Sequence, residues 1–220
     1  MERNRFVSST EGGRVSETVA RPRVEGDREA EILEATLDVL VEVGYDRLTL
    51  DAVASRAKAS KATLYRRWNG KAALVVDALV HDKGPAPEPP DTGSLREDLR
   101  EAYCGLGGMA TPRQAALFGS ILTATTTDPE FAEVFRREVV GPRLAVSRLI
   151  WERAVTRGEV SPDADLEVLE PALAGILMHR VHLLGELPTP ELVTRVIDAV
   201  LLPAATRPGS PRQHQKDPHD

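Results

Sequence analysis

The 220-residue chain contains a single cysteine, Cys104, so no internal disulfide staples its core. One cysteine makes no metal site by itself, and it fits a reducing cytosol. Aromatic residues form only 4 % of the chain, too few for a typical strand-rich fold. No apolar run approaches the roughly 18 residues that mark a bilayer-spanning helix. Met1 to Arg23 holds no apolar stretch of the kind that forms a secretory leader. These absences predict a cytoplasmic protein with no membrane contact. Basic residues are also in deficit, 28 against 34 acidic ones, which argues against a uniformly basic nucleic-acid binder.

The charge is unevenly divided, however. Residues 1–83 carry fourteen basic and fourteen acidic side chains, so the deficit belongs to residues 84–220. Between Arg56 and Lys71 stand Arg56, Lys58, Lys61, Arg66, Arg67 and Lys71, with no acid among them. Screening limits the reach of remote acids to about 8–10 Å at physiological salt, so such a patch can still bind phosphate. A solvated charged face is the alternative reading of charge alone.

Ala, Leu, Glu and Arg dominate what remains, and apolar residues recur at helical spacing through most of the chain. Residues 1–24 lack that periodicity and read as a disordered tail, whose Arg14, Arg21 and Arg23 could serve as a DNA-touching arm. A helix is predicted over Asp27–Val43, stopped by Gly44. A short helix follows Thr49 as N-cap, a third runs from Ser60 to about Trp68, and a fourth from Lys71 to Asp82. Four prolines between Gly84 and Asp91 preclude a helix and predict a linker over 84–93. Beyond it, helices are expected at about 94–108, 112–126, 129–157, 164–185 and 189–202. Gly141-Pro142 should kink or split the longest of these. Residues 203–220 read as a second disordered tail. The fold class is therefore all-α, with a small N-terminal unit at 25–83 and a larger helical one at 94–202.

The small unit has the spacing of a helix-turn-helix. Ala54 is small where two helices cross, Leu64 anchors the second helix, and Arg56–Ser60 form the turn. The open side of the second helix then presents Lys61, Thr63, Arg66 and Arg67, residue types that bond phosphates and base edges. Ser60 and Lys61 sit at its N-terminus, which attracts anions. Tyr65 adds a hydroxyl on a rigid ring. These features predict double-stranded DNA as a partner.

This stretch resembles the N-terminal domain of the TetR family of transcriptional regulators. The resemblance rests on Gly44-Tyr45, on Leu48-Thr49-Leu50-Asp51-Ala52-Val53-Ala54, on Ser60-Lys61-Ala62-Thr63-Leu64-Tyr65-Arg66-Arg67-Trp68, and on Lys71. It implies an all-helical homodimer that binds operator DNA and answers a small-molecule effector, as a repressor or, alternatively, an activator. It implies a recognition helix over Ser60–Trp68, including Ala62, with phosphate contacts at Thr49, Tyr65 and Lys71. Two positions depart from the pattern: Lys58 stands where the turn usually has glycine, and Trp68 where the family usually has phenylalanine.

In the larger unit, Leu166, Leu173, Leu192, Val196 and Val200 form stripes that predict a helical dimer interface. Leu106, Met109, Phe118, Leu122, Trp151, Met178 and His182 are candidate linings of an effector pocket, with Phe135 and Leu149 beside them. No cofactor, metal or catalytic site is expected. His179, His182 and Glu186 do not match a His-Glu-x-x-His zinc pattern, and Gly105-Leu106-Gly107-Gly108 lacks the lysine of a phosphate loop. A helical adaptor that binds protein is the remaining rival, and it has no need of the Arg56–Lys71 patch.

Overall fold

A computed structural model describes residues 25–105 and 111–206, and among these there are helices and connections but no strand. The expected tail over 1–24 lies outside the described residues. So do 207–220, whereas 203–206, expected to be unstructured, continue as helix.

Helix α1 spans Glu25–Arg47 and is broken at Gly44, whose φ of 77° requires a residue without a Cβ. Helix α2 is Leu50–Arg56, α3 is Lys61–Arg67 and α4 is Lys71–Lys83. Thr49 and Ser60 cap α2 and α3 as expected, their hydroxyls accepting from the amides of Ala52 at 3.1 Å and Thr63 at 3.3 Å. Then follow α5 (Leu95–Gly105), α6 (Pro112–Thr127), α7 (Pro129–Phe135), α8 (Gly141–Thr156), α9 (Leu166–Leu184), α10 (Pro190–Val196) and α11 (Leu202–Thr206).

The predicted helix over 129–157 is not simply kinked at Gly141-Pro142. A π-helical turn at 136–140 joins α7 to α8 without leaving helix. Pro142 cannot donate to the carbonyl four residues back, and a Cβ on Gly141 would stand 3.2 Å from the Arg136 oxygen. The same device joins α10 to α11, where a π turn at 197–201 ends two residues before Pro203.

Two cores hold the chain. The first combines α1–α4 with α6 and α7, through Leu40, Val53, Leu64, Leu74, Ile121 and Phe131. The second combines α5 with α8–α11, through Leu99, Ile150, Trp151, Leu173 and Ile197. The prolines at 84–93 therefore separate segments of sequence but not the cores, because α6 and α7 return to complete the N-terminal one. Nor is the proline stretch loose. Arg153 donates to the carbonyls of Pro89 and Pro90 at 3.3 and 3.2 Å, and Arg143 reaches the Gly84 carbonyl at 3.3 Å. Just beyond it, fully buried Asp98 accepts from the Thr92 amide and hydroxyl and pairs with Arg157 at 3.0 Å.

Candidate nucleic-acid interface

The α2–α3 turn shows how this sequence manages without glycine. Lys58 adopts a φ of 51°, the only positive value at a non-glycine position among the described residues. Such a conformation costs roughly 1–2 kcal/mol for an L-residue. The turn closes with the Ala59 amide bonded to the Ala54 carbonyl at 2.8 Å and the Lys58 amide to Ser55 at 3.2 Å. Arg28, from the first turns of α1, donates to the carbonyls of Ala57 at 2.8 Å and Lys58 at 2.6 Å. Sequence reasoning missed this buttress, since its partners stand about thirty positions away. The strained geometry is kept, with an arginine supporting it.

With α2 fixed, α3 stands on buried Leu64 and Trp68, and the Trp68 indole donates to Asp77 of α4 at 2.8 Å. The opposite side of α3 is open. Ser60, Lys61, Ala62, Tyr65, Arg66 and Arg67 are exposed there, Tyr65 by 60 %, and Thr63 is half-buried. Thr49 is exposed at the start of α2.

Two features of this face are not visible in the sequence. The basic run is not unopposed in space: Lys61 pairs with Asp51 at 2.5 Å, Arg67 with Glu29 at 2.8 Å, and Arg56 with Glu42. The carboxylates beside Lys61 and Arg56 raise their pKa values above the ordinary range, so both stay charged. Pairs this exposed are screened by solvent and hold their cations weakly, so phosphate can compete for them. Arg66 is exposed and has no partner among the described residues. Lys71, in turn, does not point outward. Its ammonium donates to the Tyr45 carbonyl at 3.1 Å and lies 4.1 Å from the centre of the Tyr45 ring.

Tyr45 is the joint between the α2–α3 unit and the rest of the molecule. Its ring is buried against Phe131 of α7, with centroids 4.8 Å apart, and its hydroxyl donates to Asp128 at 2.6 Å. Asp128 also caps α7 through the Phe131 amide at 3.0 Å. The Tyr45 hydroxyl and that amide hold the Asp128 carboxyl below the usual range, while burial and the neighbouring carboxylate push the Tyr45 phenol up. A cleft of about 480 Å³ opens beside this joint, between the end of α1 and α6, lined by Val43, Tyr45, Ala116 and Ser120. It is not where the sequence placed a pocket.

The candidate pocket residues divide. Phe118 of α6 and His182 of α9 stack with centroids 5.3 Å apart, and half-buried Leu122 and Met178 lie one turn along the same faces. Trp151 is buried in the second core. Phe135 instead stacks on Phe131 in the first core, and Leu149 is exposed. Leu106 and Met109 lie outside the described residues.

The interface candidates divide too. Leu173 and Val196 are buried within their own protomer and cannot meet a partner. They pack against each other's helices in the second core, which sequence periodicity alone could not separate from an outer stripe. Leu166 and Leu192 are half-buried, and Val200 is exposed. Leu183 (74 % exposed), Val168 (63 %) and Leu184 are the unpartnered apolar side chains on α9.

Among the described residues, no three His, Cys, Asp or Glu side chains are placed to hold a metal ion. Glu186 pairs with Arg180 at 2.5 Å, away from any such role. No described helix is long and apolar enough to cross a membrane.

A short capped helix held rigidly on a second one, with an open face of cations and hydroxyls, has the form of a helix-turn-helix unit. Residues 32–78 match the family described as bacterial regulatory proteins of the tetR family, and residues 89–200 match a tetracyclin repressor-like C-terminal domain. The chain belongs to the TetR family. An uncharacterised HTH-type transcriptional regulator of Mycobacterium tuberculosis is 40 % identical over 183 residues, covering 82 % of this chain and 89 % of that protein. A DNA-binding transcriptional repressor of Mycobacteroides abscessus, itself named TetR, is 37 % identical over 184 residues, covering 83 % and 96 %. Among solved structures, a TetR family transcription regulator at 29 % identity superposes with a TM-score of 0.58, over 80 % of this chain and 97 % of that one. A flavonoid-responsive regulator shares the fold at 23 % identity and a TM-score of 0.60, over 79 % and 93 %.

Proposed function

We propose that this protein is a ligand-responsive repressor that binds palindromic operator DNA as a homodimer. The open face of α3 carries this reading. Arg66 projects from it with no partner among the described residues, and Ser60, Lys61, Ala62, Thr63, Tyr65 and Arg67 surround it. Thr49 supplies a hydroxyl to the adjacent phosphate. Two such helices, one per protomer, enter successive major grooves about 34–36 Å apart. Lys71 contributes from behind: it fixes Tyr45 and sets the pose of the α2–α3 unit, and it does not itself meet DNA in this conformation. The similarity to a repressor supports repression.

Exposed apolar side chains on α9 and at Val200 supply the surface for a second copy. The effector enters the C-terminal half. Its binding is felt by DNA through the Tyr45–Asp128 joint, where α1 meets the start of α7. A coupling of about 1–3 kcal/mol at that joint weakens operator binding by about 5–150-fold.

The test is fluorescence anisotropy of the purified full chain on DNA fragments flanking its own gene. A specific fragment bound with a log–log salt slope near −5, for about six neutralised phosphates, is the expected result. Binding of all fragments alike, with no footprint of two-fold symmetry, would overturn the proposal.

A further inference from the structure

Polar atoms that are buried and unsatisfied are rare in folded proteins, and each one calls for an explanation. Such atoms are gathered where α5, α8 and α9 pack. Trp151 is 1 % exposed and its indole N–H has no hydrogen-bond partner among the described residues. One turn earlier on α8, on the same face, Ser147 is 8 % exposed, and its hydroxyl lies against that of Tyr103 on α5. Glu170 of α9 has one carboxylate oxygen out of contact with solvent and without a partner. The Tyr103 pKa is raised chiefly by burial, opposed by a hydrogen bond with the Ser147 hydroxyl and reinforced by the nearby Glu170 charge. The Phe118–His182 stack stands apart from this cluster. Glu170 and His182 are twelve residues apart on α9, about 18 Å along the helix axis.

We infer that Tyr103, Ser147, Trp151 and Glu170 form the head-group site of the effector, and that the effector is an apolar-bodied molecule with a hydrogen-bond-donating head, an amine or hydroxyl, and not an anion. This inference rests on the ligand-responsive reading above. The chemistry follows from the donor and acceptor inventory. The indole N–H can only donate, so the head must also offer a lone pair. The Glu170 oxygen can only accept while ionised, so the head must also supply a proton; a hydroxyl or neutral amine meets both demands, and a protonated amine, which has no lone pair for the indole, compensates by balancing the Glu170 charge. A carboxylate or phosphate head would set a second negative charge beside Glu170 in a site with little water, where repulsion is weakly screened. Ser147 and Tyr103, each able to donate and accept, accommodate either orientation of a hydroxyl. Ile150 and Leu173, buried in the same core, are the apolar side chains that the body would meet.

The probes are matched sets of phenyl-, naphthyl- and anthracenyl-alkyl compounds, each bearing a primary amine, an alcohol or a carboxylate. They are titrated by calorimetry into the full chain. Parallel nitrogen-15 spectra follow the Trp151 indole resonance, assigned with Trp151→Phe. We expect amines or alcohols to bind at least about tenfold more tightly than the matched carboxylates, and to move the Trp151 resonance. Glu170→Gln, checked for native helicity, should erase the preference for amine over alcohol. If Glu170→Gln does not fold, Glu170→Asp should reduce that preference severalfold by withdrawing the charge. Carboxylates binding as well as amines, an unchanged preference in a folded Glu170 variant, or no binding by any probe would overturn the inference. Operator anisotropy separates it from the parent reading. Amines that bind without changing operator affinity would sink the sensor role while leaving the head-group site standing. Carboxylates that release DNA would do the reverse.

Discussion

Tyr45→Phe removes one oxygen atom from the joint between the α2–α3 unit and α7, and leaves the ring in place. The phenylalanine still packs on Phe131 and still lies under the Lys71 ammonium, so only the 2.6 Å bond to Asp128 is lost. Hydrogen bonds to charged groups are worth about 1.5–3 kcal/mol net. Asp128 is half-buried and keeps its bond to the Phe131 amide, so the lower end applies and a loss of about 1.5 kcal/mol is expected. At fixed protein concentration this should appear as a lower urea midpoint with an unchanged slope. The pH dependence gives a sharper check. The folded pKa of Asp128 is depressed, led by the Tyr45 hydroxyl. Its contribution is therefore fully present above the unfolded carboxyl value near 4 and is lost as pH falls through the folded value. The gap between wild type and Tyr45→Phe should stay constant from pH 7 to about 5 and narrow below about pH 4. Asp128→Asn, which retains the helix cap, should remove most of the effect of Tyr45→Phe in a double-mutant cycle. Additive losses, or a gap that does not change with acid, would refute the account of this joint.

Other expectations follow from the same geometry. Arg66→Ala should weaken operator binding about tenfold or more and make the salt slope shallower by about two, one phosphate contact per protomer, with no change in melting temperature, by anisotropy and calorimetry. Lys58→Gly should stabilise the protein by about 1 kcal/mol, because it relieves a left-handed lysine, and the urea midpoint should rise. Arg28→Ala should destabilise by about 1–2 kcal/mol through the same turn, and Lys58→Gly should recover part of that loss in the double variant. Arg157→Ala strips buried Asp98 of its cation and should cost about 2–3 kcal/mol in the same assay, since only the Thr92 bonds remain.

The helix-turn-helix was legible because its determinants are local. Thr49 and Ser60 reach amides three residues on, and Ala54 and Leu64 carry their packing roles in their size. The position of Lys58 in the turn was readable for the same reason, but its support was not, since Arg28 arrives from another helix. Lys71 misled because a lysine next to a basic run says nothing about which way its amine turns; the Tyr45 carbonyl and ring decide that. The stripes through Leu173 and Val196 showed two apolar faces without saying which faced inward. The pocket reading drew on aromatic and apolar residues, and so did not weigh Tyr103, Ser147 and Glu170, the polar side chains of the site proposed above. A serine one turn before a tryptophan on one face of α8 was the available signal. The return of α6 and α7 to the first core had no local signature, because it is a long-range packing choice.

The widened turn at 136–140 has a mechanical consequence. It holds one residue more than an α-turn, and in most helices such a surplus can migrate along the axis, rotating one half against the other. Pro142 blocks that migration, because the turn cannot pass a residue with no amide to hand on. The rod from Pro129 to Thr156 is thereby locked in phase, and the faces of α7 and α8 keep one fixed azimuth. A message that passes along this rod from the second core to the first travels as a tilt and not as a twist.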